Sequence, residues 1–285
     1  MRIGFIGVGV MGNGMVANLL KNGFDVDVFT RTKEKAARAL EAGARWADDI
    51  RECVSEADAV ITIVGFPRDV EEVYFAKNGV LECVRPGTPV IDMTTTSPRL
   101  AERIFREAKS RGIPALDAPV SGGDTGARNG TLSIMVGGER AVFEKCLPIF
   151  QAMGTNIRHQ GPAGFGQHTK MANQIAIAGA LAGACEAIAY GRAAGLDLNQ
   201  MLATIGAGAA GSWQMQYNAP KIVAEDFSPG FFIKHFVKDM SLADAEARER
   251  DVPLPVLEKV LALMRGLDEK GYGEEGTQAL IRSYL

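Results

Sequence analysis

The sequence predicts a doubly wound α/β domain over residues 1–162, followed by an all-helical domain over residues 163–285. Three observations carry that reading. An apolar run from Ile3 to Ile6 leads directly into Gly7-x-Gly9-x-x-Gly12; strand-like runs then alternate with amphipathic segments to about residue 160; and past Gly161-Pro162 the strand pattern stops while Ala-rich helical periodicity takes over.

The glycine turn comes first. Gly7 permits a tight turn, Gly9 lets the backbone approach a pyrophosphate, and Gly12 lets the following helix sit close to the sheet. A bound dinucleotide is therefore expected, its pyrophosphate resting on the N-terminus of a helix at about 11–22, where the helix dipole favours negative charge. Met11, Met15, Leu19 and Leu20 share one face of that helix, and residues 24–29 alternate as a second strand. Further strands are expected at 57–64, 89–93, 114–118 and 132–136. A helix at 99–111 opens with Ser97 as N-cap and Pro98 in its first turn. Beyond residue 162, helices are expected at about 164–194, 197–206, 238–250 and 253–270. The first of these carries Ala172, Ala176, Gly179, Ala180, Gly183 and Ala187, and a helix apolar nearly all round is buried between domains or subunits. A homodimer or homotetramer is the expected assembly.

Composition narrows the function. With 47% hydrophobic and 23% charged residues among 285, the chain can bury two cores and is far from a disordered composition. A net charge of -3 gives no broad positive field, which argues against nucleic acid or an anionic membrane surface as partner. The first strand begins at the N-terminus, so a cytoplasmic location is expected. Cys53, Cys83, Cys146 and Cys185 are scattered, without C-x-x-C spacing, and are expected to be core thiols rather than a disulfide framework or a metal site. The uncharged run at 171–185 is short for a membrane span and contains Asn173 and Gln174, so a buried helix is expected there.

Four further segments concentrate glycine and polar residues where a doubly wound sheet opens its cleft, beyond the strand C-termini. Asp92 to Pro98 and Asp117 to Gly123 are expected as loops after two strands. Gly161-x-x-Gly164-x-Gly166-x-x-x-Lys170-x-x-Asn173 begins the long helix, with Lys170 and Asn173 three apart and so on one face. Phe231 to Asp239 lies in the helical domain.

Together these segments resemble the β-hydroxyacid dehydrogenase family, which includes 3-hydroxyisobutyrate dehydrogenase, tartronate semialdehyde reductase and glyoxylate/succinic semialdehyde reductase. The resemblance spans nearly the whole chain. The runs 169–174 and 208–213 and the ending Gly276-Thr-Gln278 look closest to bacterial members described as 3-hydroxyisobutyrate dehydrogenase-like. What the resemblance implies is a Rossmann-type domain joined to a helical domain in the manner of 6-phosphogluconate dehydrogenase. The implied activity is NAD(P)-dependent hydride transfer to or from the terminal or β-hydroxyl of a small hydroxyacid, or reduction of the matching semialdehyde. Reduction of tartronate semialdehyde, succinic semialdehyde or glyoxylate is the alternative, and a non-catalytic cofactor-binding scaffold is the rival of a different class. Imine reduction on a similar fold is disfavoured because Lys170 would usually be replaced there.

The resemblance also implies roles for particular residues. Oxidising an alcohol by hydride transfer needs a proton acceptor, and without a zinc site an amino-acid base must serve. Lys170 is that candidate, since desolvation and a positive nicotinamide ring both disfavour its ammonium form. The Ser121 hydroxyl with the backbone N–H groups of Gly122 and Gly123 makes a seat for the substrate carboxylate. Thr95 is expected to contact cofactor and substrate. Asn173 is expected to orient the substrate, with Gln174 able to serve in its place. Lys238 resembles a cofactor-contacting lysine, and Asp239 and Phe231 resemble residues closing the site. Val10, Met11, Thr32, Val64 and Gly65 complete the implied cofactor contacts, and Phe231, Trp213 and Gln278 are candidate pocket-wall residues. His159, His168 and His235 receive no role. At the end of the second strand, Thr30-Arg31-Thr32-Lys33 replaces the acid that NAD binders place on the ribose, which suits the 2′-phosphate of NADP, although Arg31 could instead stack on adenine.

Overall fold

Short runs of Val, Ile, Phe and Ala, each bounded by Gly, Pro, Asp or Asn, are too apolar and too brief for surface helices, and they form the central sheet of the first unit. The computed structural model describes residues 1–285 and divides into two units, Met1–Lys170 and Met171–Leu285. The strands are β1 (Arg2–Ile6), β2 (Asp25–Phe29), β3 (Arg45–Trp46), β4 (Ala59–Thr62), β5 (Val90–Asp92), β6 (Ala115–Asp117), β7 (Val120–Ser121), β8 (Leu132–Gly138) and β9 (Gly154–Gly161). They lie in the order β3-β2-β1-β4-β5-β6-β8, with β7 and β9 also paired to β8. From β3 to β6 every pairing is parallel, and β8 joins β6 and β7 antiparallel. The order reverses between β1 and β4, the topological switch point of a doubly wound sheet, and the glycine turn follows β1 there.

Alternation across the pleat sorts side chains into two cores. Ile61, Ile91 and Leu116 pack with Phe5, Met15, Leu19 and Phe150 on one face, while Val60, Val90 and Ala115 pack with Val54, Tyr74 and Ile104 on the other. Each fully buried Ile, Leu or Phe of this kind contributes about 1.5–3 kcal/mol. The helix Pro98–Ser110 starts as expected, with the Ser97 hydroxyl accepting from Leu100 N at 3.2 Å and Pro98 in the first turn.

The second unit is helical, its only sheet-like pairing being the isolated bridge between Phe232 and Gly276. The helices Leu198–Gly206, Ile233–Arg248 and Pro255–Leu267 and the later turns of Phe165–Ala193 share a core that includes Leu181, Cys185, Ile188, Phe236, Met240, Leu261 and Leu280. Phe165–Ala193 is long and apolar enough to cross a membrane by length and composition, and 44% of its most apolar stretch is buried inside the protein. All four cysteines are buried.

Several expectations are corrected. The two compact units divide at Lys170/Met171, a few residues past the expected domain boundary at 162/163, because the first turns of the helix Phe165–Ala193 are hydrogen-bonded into the sheet unit. β3, β7 and β9 were not expected. The helix Ile233–Arg248 begins five residues before the expected 238. Its first turn is fixed from far along the chain, with Ile233 N donating to Glu275 O at 3.0 Å and Lys234 N to Gly273 O at 3.2 Å.

Candidate active site

Around the glycine turn, each glycine is constrained differently. Gly7 has φ +102°, and a Cβ on it would lie 2.0 Å from Ile63 O, so no other residue fits. A Cβ on Gly12 would lie 2.2 Å from Gly7 O, which is how the helix Val10–Lys21 reaches the turn. Gly9 is the opposite case, since a Cβ there would meet nothing within 4 Å. The space it leaves is open, as a pyrophosphate seat requires. The first turn of the helix Val10–Lys21 carries no acidic residue and no side-chain cap, so its positive end is available to an anion. Val10 is exposed, Met11 half-buried. Asn13 Nδ2 donates to Gly9 O and to Lys35 O, both at 3.0 Å, tying the turn to the segment after β2. These residues fit a nicotinamide dinucleotide.

That segment holds Arg31 and Thr32. The Arg31 side chain is 71% exposed and lies 3.1 Å from Asp69 and 3.9 Å from Glu72. The sequence showed a cation without an acid; the fold brings two acids to it from the helix Pro67–Phe75. Thr32 precedes the 3₁₀ turn Lys33–Ala36. Val64 N donates to Thr94 Oγ1 at 3.0 Å, and Gly65 beside it is half-buried.

Two buried carboxylates lie under the segments after β5 and β6. Asp92 and Asp117 are register partners on these adjacent strands. Asp92 Oδ1 accepts from Thr62 Oγ1 at 2.9 Å and from Thr94 N at 3.1 Å, and its buried Oδ2 has no hydrogen-bond partner. Asp117 accepts from Gly164 N at 2.8 Å and Gln167 N at 2.9 Å, capping the start of the helix Phe165–Ala193. Burial pushes each carboxyl up to about 6, against hydrogen bonds that pull the other way.

Ser121 is not in a loop, as expected, but in β7, paired with Ser133 of β8. Gly122 and Gly123, with φ +127° and +60°, turn the chain into the short helix Gly123–Asn129. Lys170, the sixth residue of the helix Phe165–Ala193, is only 6% exposed. Its Nζ donates to Val120 O at 2.8 Å, one residue from Ser121. Within the first unit, therefore, the amine and the Ser121–Gly123 segment come together, and Thr95 is half-buried in the segment bonded to Gln167.

One turn beyond Lys170, a polar chain runs through the second unit. Asn173 Nδ2 donates to Gln174 Oε1 at 2.7 Å, Gln174 Nε2 donates to Asp239 Oδ2 at 2.6 Å, and Lys238 Nζ lies 2.8 Å from Asp239 Oδ1. Gln174 is buried and committed to Asp239, which leaves half-buried Asn173 as the amide open to a ligand. Phe231 meets Phe236 edge-on at 5.8 Å. Trp213, 54% exposed, stacks on Tyr217 with ring centroids 3.8 Å apart, so it is not a core residue. Gln278 is buried and donates to Asp226 O and Ser228 O, both at 3.0 Å, holding the loop that carries them. Asp117, which opens one motif without an assigned role, and Gln167, an unspecified position within another, are the structural participants that the sequence reading left out. Their only sequence signals are a strand-end acid and a helical position one turn before Lys170.

Comparison with known proteins gives matches over both units. Residues 2–161 match the family described as the NAD binding domain of 6-phosphogluconate dehydrogenase. Residues 164–284 match that described as NAD-binding of NADP-dependent 3-hydroxyisobutyrate dehydrogenase. An uncharacterized oxidoreductase of Bacillus subtilis is 50% identical over 283 residues, covering 99% of this chain and 98% of that one. The NAD-dependent L-serine dehydrogenase of Pseudomonas aeruginosa is 38% identical over 282 residues, covering 96% and 94%. Among solved structures, 3-hydroxyisobutyrate dehydrogenase of Mycobacterium tuberculosis with L-serine has a TM-score of 0.90 and 30% identity, covering 99% and 98%.

Proposed function

The chain belongs to the β-hydroxyacid dehydrogenase family and is an NAD(P)-dependent oxidoreductase, and from that premise we propose that Lys170 is its proton acceptor in oxidising the terminal or β-hydroxyl of a small hydroxyacid. The observation that carries this reading is the buried Lys170 amine, 2.8 Å from Val120 O and so beside the Ser121–Gly123 segment. When bound, the nicotinamide supplies the hydride acceptor. Lys170 takes the hydroxyl proton as the carbonyl forms and returns it in the reverse direction. The Ser121 hydroxyl and the backbone N–H groups of Gly122 and Gly123 hold the substrate carboxylate, and glycine lets that carboxylate come close. Asn173 orients the hydroxyl, and its Gln174–Asp239–Lys238 chain holds the amide in place.

3-Hydroxyisobutyrate is the first substrate to test. L-Serine is the second, favoured by the relatives named above, because both acids present a hydroxymethyl group one carbon from a carboxylate. Tartronate semialdehyde, succinic semialdehyde and glyoxylate complete the panel. On the cofactor, Arg31 without an acid at the end of β2 supports NADP, its guanidinium leaving Asp69 and Glu72 for the 2′-phosphate. A cytoplasmic homodimer or homotetramer is the proposed working form. The exposed Ala172, Ala176 and Gly183 face of the long helix supports assembly, since a Cβ on Gly183 meets nothing within 4 Å.

The test is Lys170→Ala assayed with this panel and both cofactors. Turnover is expected to fall by about 10² to 10⁴ while cofactor affinity holds. Unchanged turnover removes the base assignment, and no turnover by the unmutated protein on any panel member would favour a cofactor-binding scaffold instead.

A further inference from the structure

One turn before Lys170, the side chain of Gln167 is wholly buried, at 0% exposure. Its amide makes two bonds to one short segment: Nε2 donates to Thr94 O at 2.8 Å, and Oε1 accepts from Thr96 N at 3.0 Å. The same residue is held from a second direction, because its backbone N donates to Asp117 Oδ2 at 2.9 Å. Asp117 Oδ1 takes Gly164 N at 2.8 Å, so the helix start is pinned on both sides of Gly166. A Cβ on Gly166 would lie 2.4 Å from Met135 O, so the helix sits as close to the sheet as a backbone can. Gln167 thus couples the helix that carries Lys170 to the residues on either side of Thr95, with both ends of its amide in use.

We propose that Gln167 is the positioning residue of the site: its amide locks the first turns of the helix Phe165–Ala193 in register with residues 94–96, so that the Lys170 amine and Thr95 belong to one rigid piece. The inference rests on the assignment of Lys170 as base. It also separates from that assignment, because the position of an amine can be read without catalysis. Gln is suited to the place by its length and its two-sided amide, which match an N–H and a C=O two residues apart on an extended segment. A leucine of similar volume fills the space and supplies neither bond.

The test uses Gln167→Leu in the full chain, with thermal unfolding to establish that it is folded. Lys170 is labelled by an amine-selective acylating reagent without cofactor, and the modified peptide is quantified against exposed Lys109. The labelling ratio at Lys170 is expected to rise about tenfold, and kcat to fall about ten- to a hundredfold, with the cofactor Kd within about twofold. An unchanged labelling ratio overturns the proposal, whatever happens to kcat. A raised ratio beside a Lys170→Ala variant of full activity supports the positioning role and sinks the base assignment alone. Should Gln167→Leu fail to fold, Gln167→Glu replaces it. A protonated carboxyl donates to Thr94 O and accepts from Thr96 N as the amide does, while the carboxylate loses the donor. Asp117, which accepts from the Gln167 backbone N, and Asp92 also titrate at about 6 and are common to both proteins, so the Lys170 labelling ratio of Gln167→Glu is compared with that of the unmutated protein at each pH. The excess is expected to shrink as pH drops from 8 to 5, and an excess flat with pH overturns the proposal.

Discussion

Replacing Asp92 by Asn should make the protein's stability less dependent on pH, and the size of the effect follows from the burial of one carboxyl group. Asp92 is buried in β5, with its pKa pushed up to about 6 from the ordinary 3.8, chiefly by loss of solvent. Between these two values the folded chain keeps a proton that the unfolded chain has lost. Stability from this group is therefore fully present below pH 3.8, falls as pH rises through the window, and is lost above about 6. Each pH unit of the gap is worth about 1.36 kcal/mol, so raising pH from 4.5 to 8 costs roughly 2 kcal/mol through Asp92 alone. Asn at this position keeps the oxygen that accepts from Thr62 and Thr94 and puts an amide in place of the unpartnered Oδ2. It adds a constant term of its own, so the slope of the difference is the measurement, not its sign. Urea unfolding of both proteins at fixed concentration from pH 4.5 to 8 should show the variant gaining roughly 2 kcal/mol on its parent across the range. A small further gain comes from Asp117, whose carboxyl no longer faces a charged neighbour in register. A difference that stays flat with pH would refute the reasoning, because it would mean that the Asp92 carboxyl titrates alike in folded and unfolded chains.

Two more predictions address the cofactor end. Gly9→Ala should leave thermal stability almost unchanged, since its Cβ meets nothing, yet weaken dinucleotide binding by about tenfold or more; Gly12→Ala should lower stability outright through its 2.2 Å overlap with Gly7 O. Equal melting temperatures for the two variants would contradict this. Arg31→Ala should weaken NADP binding about ten- to a hundredfold and NAD binding little, the worth of one charged hydrogen bond, as measured by fluorescence titration of NADPH and NADH. Equal losses would return Arg31 to the role of an adenine-stacking residue.

Legibility in the sequence followed the range of the forces involved. β1, the glycine turn and the helix Val10–Lys21 are set by local periodicity and by clashes within a dozen residues, and they stand where expected. β5 and β6 were legible because a strand buried on both faces is continuously apolar. β9 was not, because Thr155, Asn156 and Arg158 lie on its exposed side, and its pairing with β8 includes register shifts that no alternation would reveal. β7 is two residues long and exists because β8 runs past it antiparallel. The early start of the helix Ile233–Arg248 depends on carbonyls of Gly273 and Glu275, about forty positions away.

For the site, the same division separates the residues that motifs named from those that hold them. Lys170 and Asn173 could be placed on one helix face from spacing, but that Lys170 lies beside Ser121 depends on Val120 O, and that Asn173 rather than Gln174 stays open depends on Asp239. Asp92 and Asp117 are the clearest instance. As polar residues at the ends of the expected strands 89–93 and 114–118 they were read as opening loops toward a cleft, whereas both are buried in the strands, with their carboxyls pushed up to about 6. Burying them makes the fold less stable at neutral pH than the same strands with neutral residues would be. They remain useful because the segments they meet, the start of the helix Phe165–Ala193 and the turn at Thr94, end in backbone N–H groups that an apolar side chain would leave unpaired. The cost of each buried acid is thus offset where the chain must stop being regular to form a site, which is also where helix and strand periodicity stop being informative.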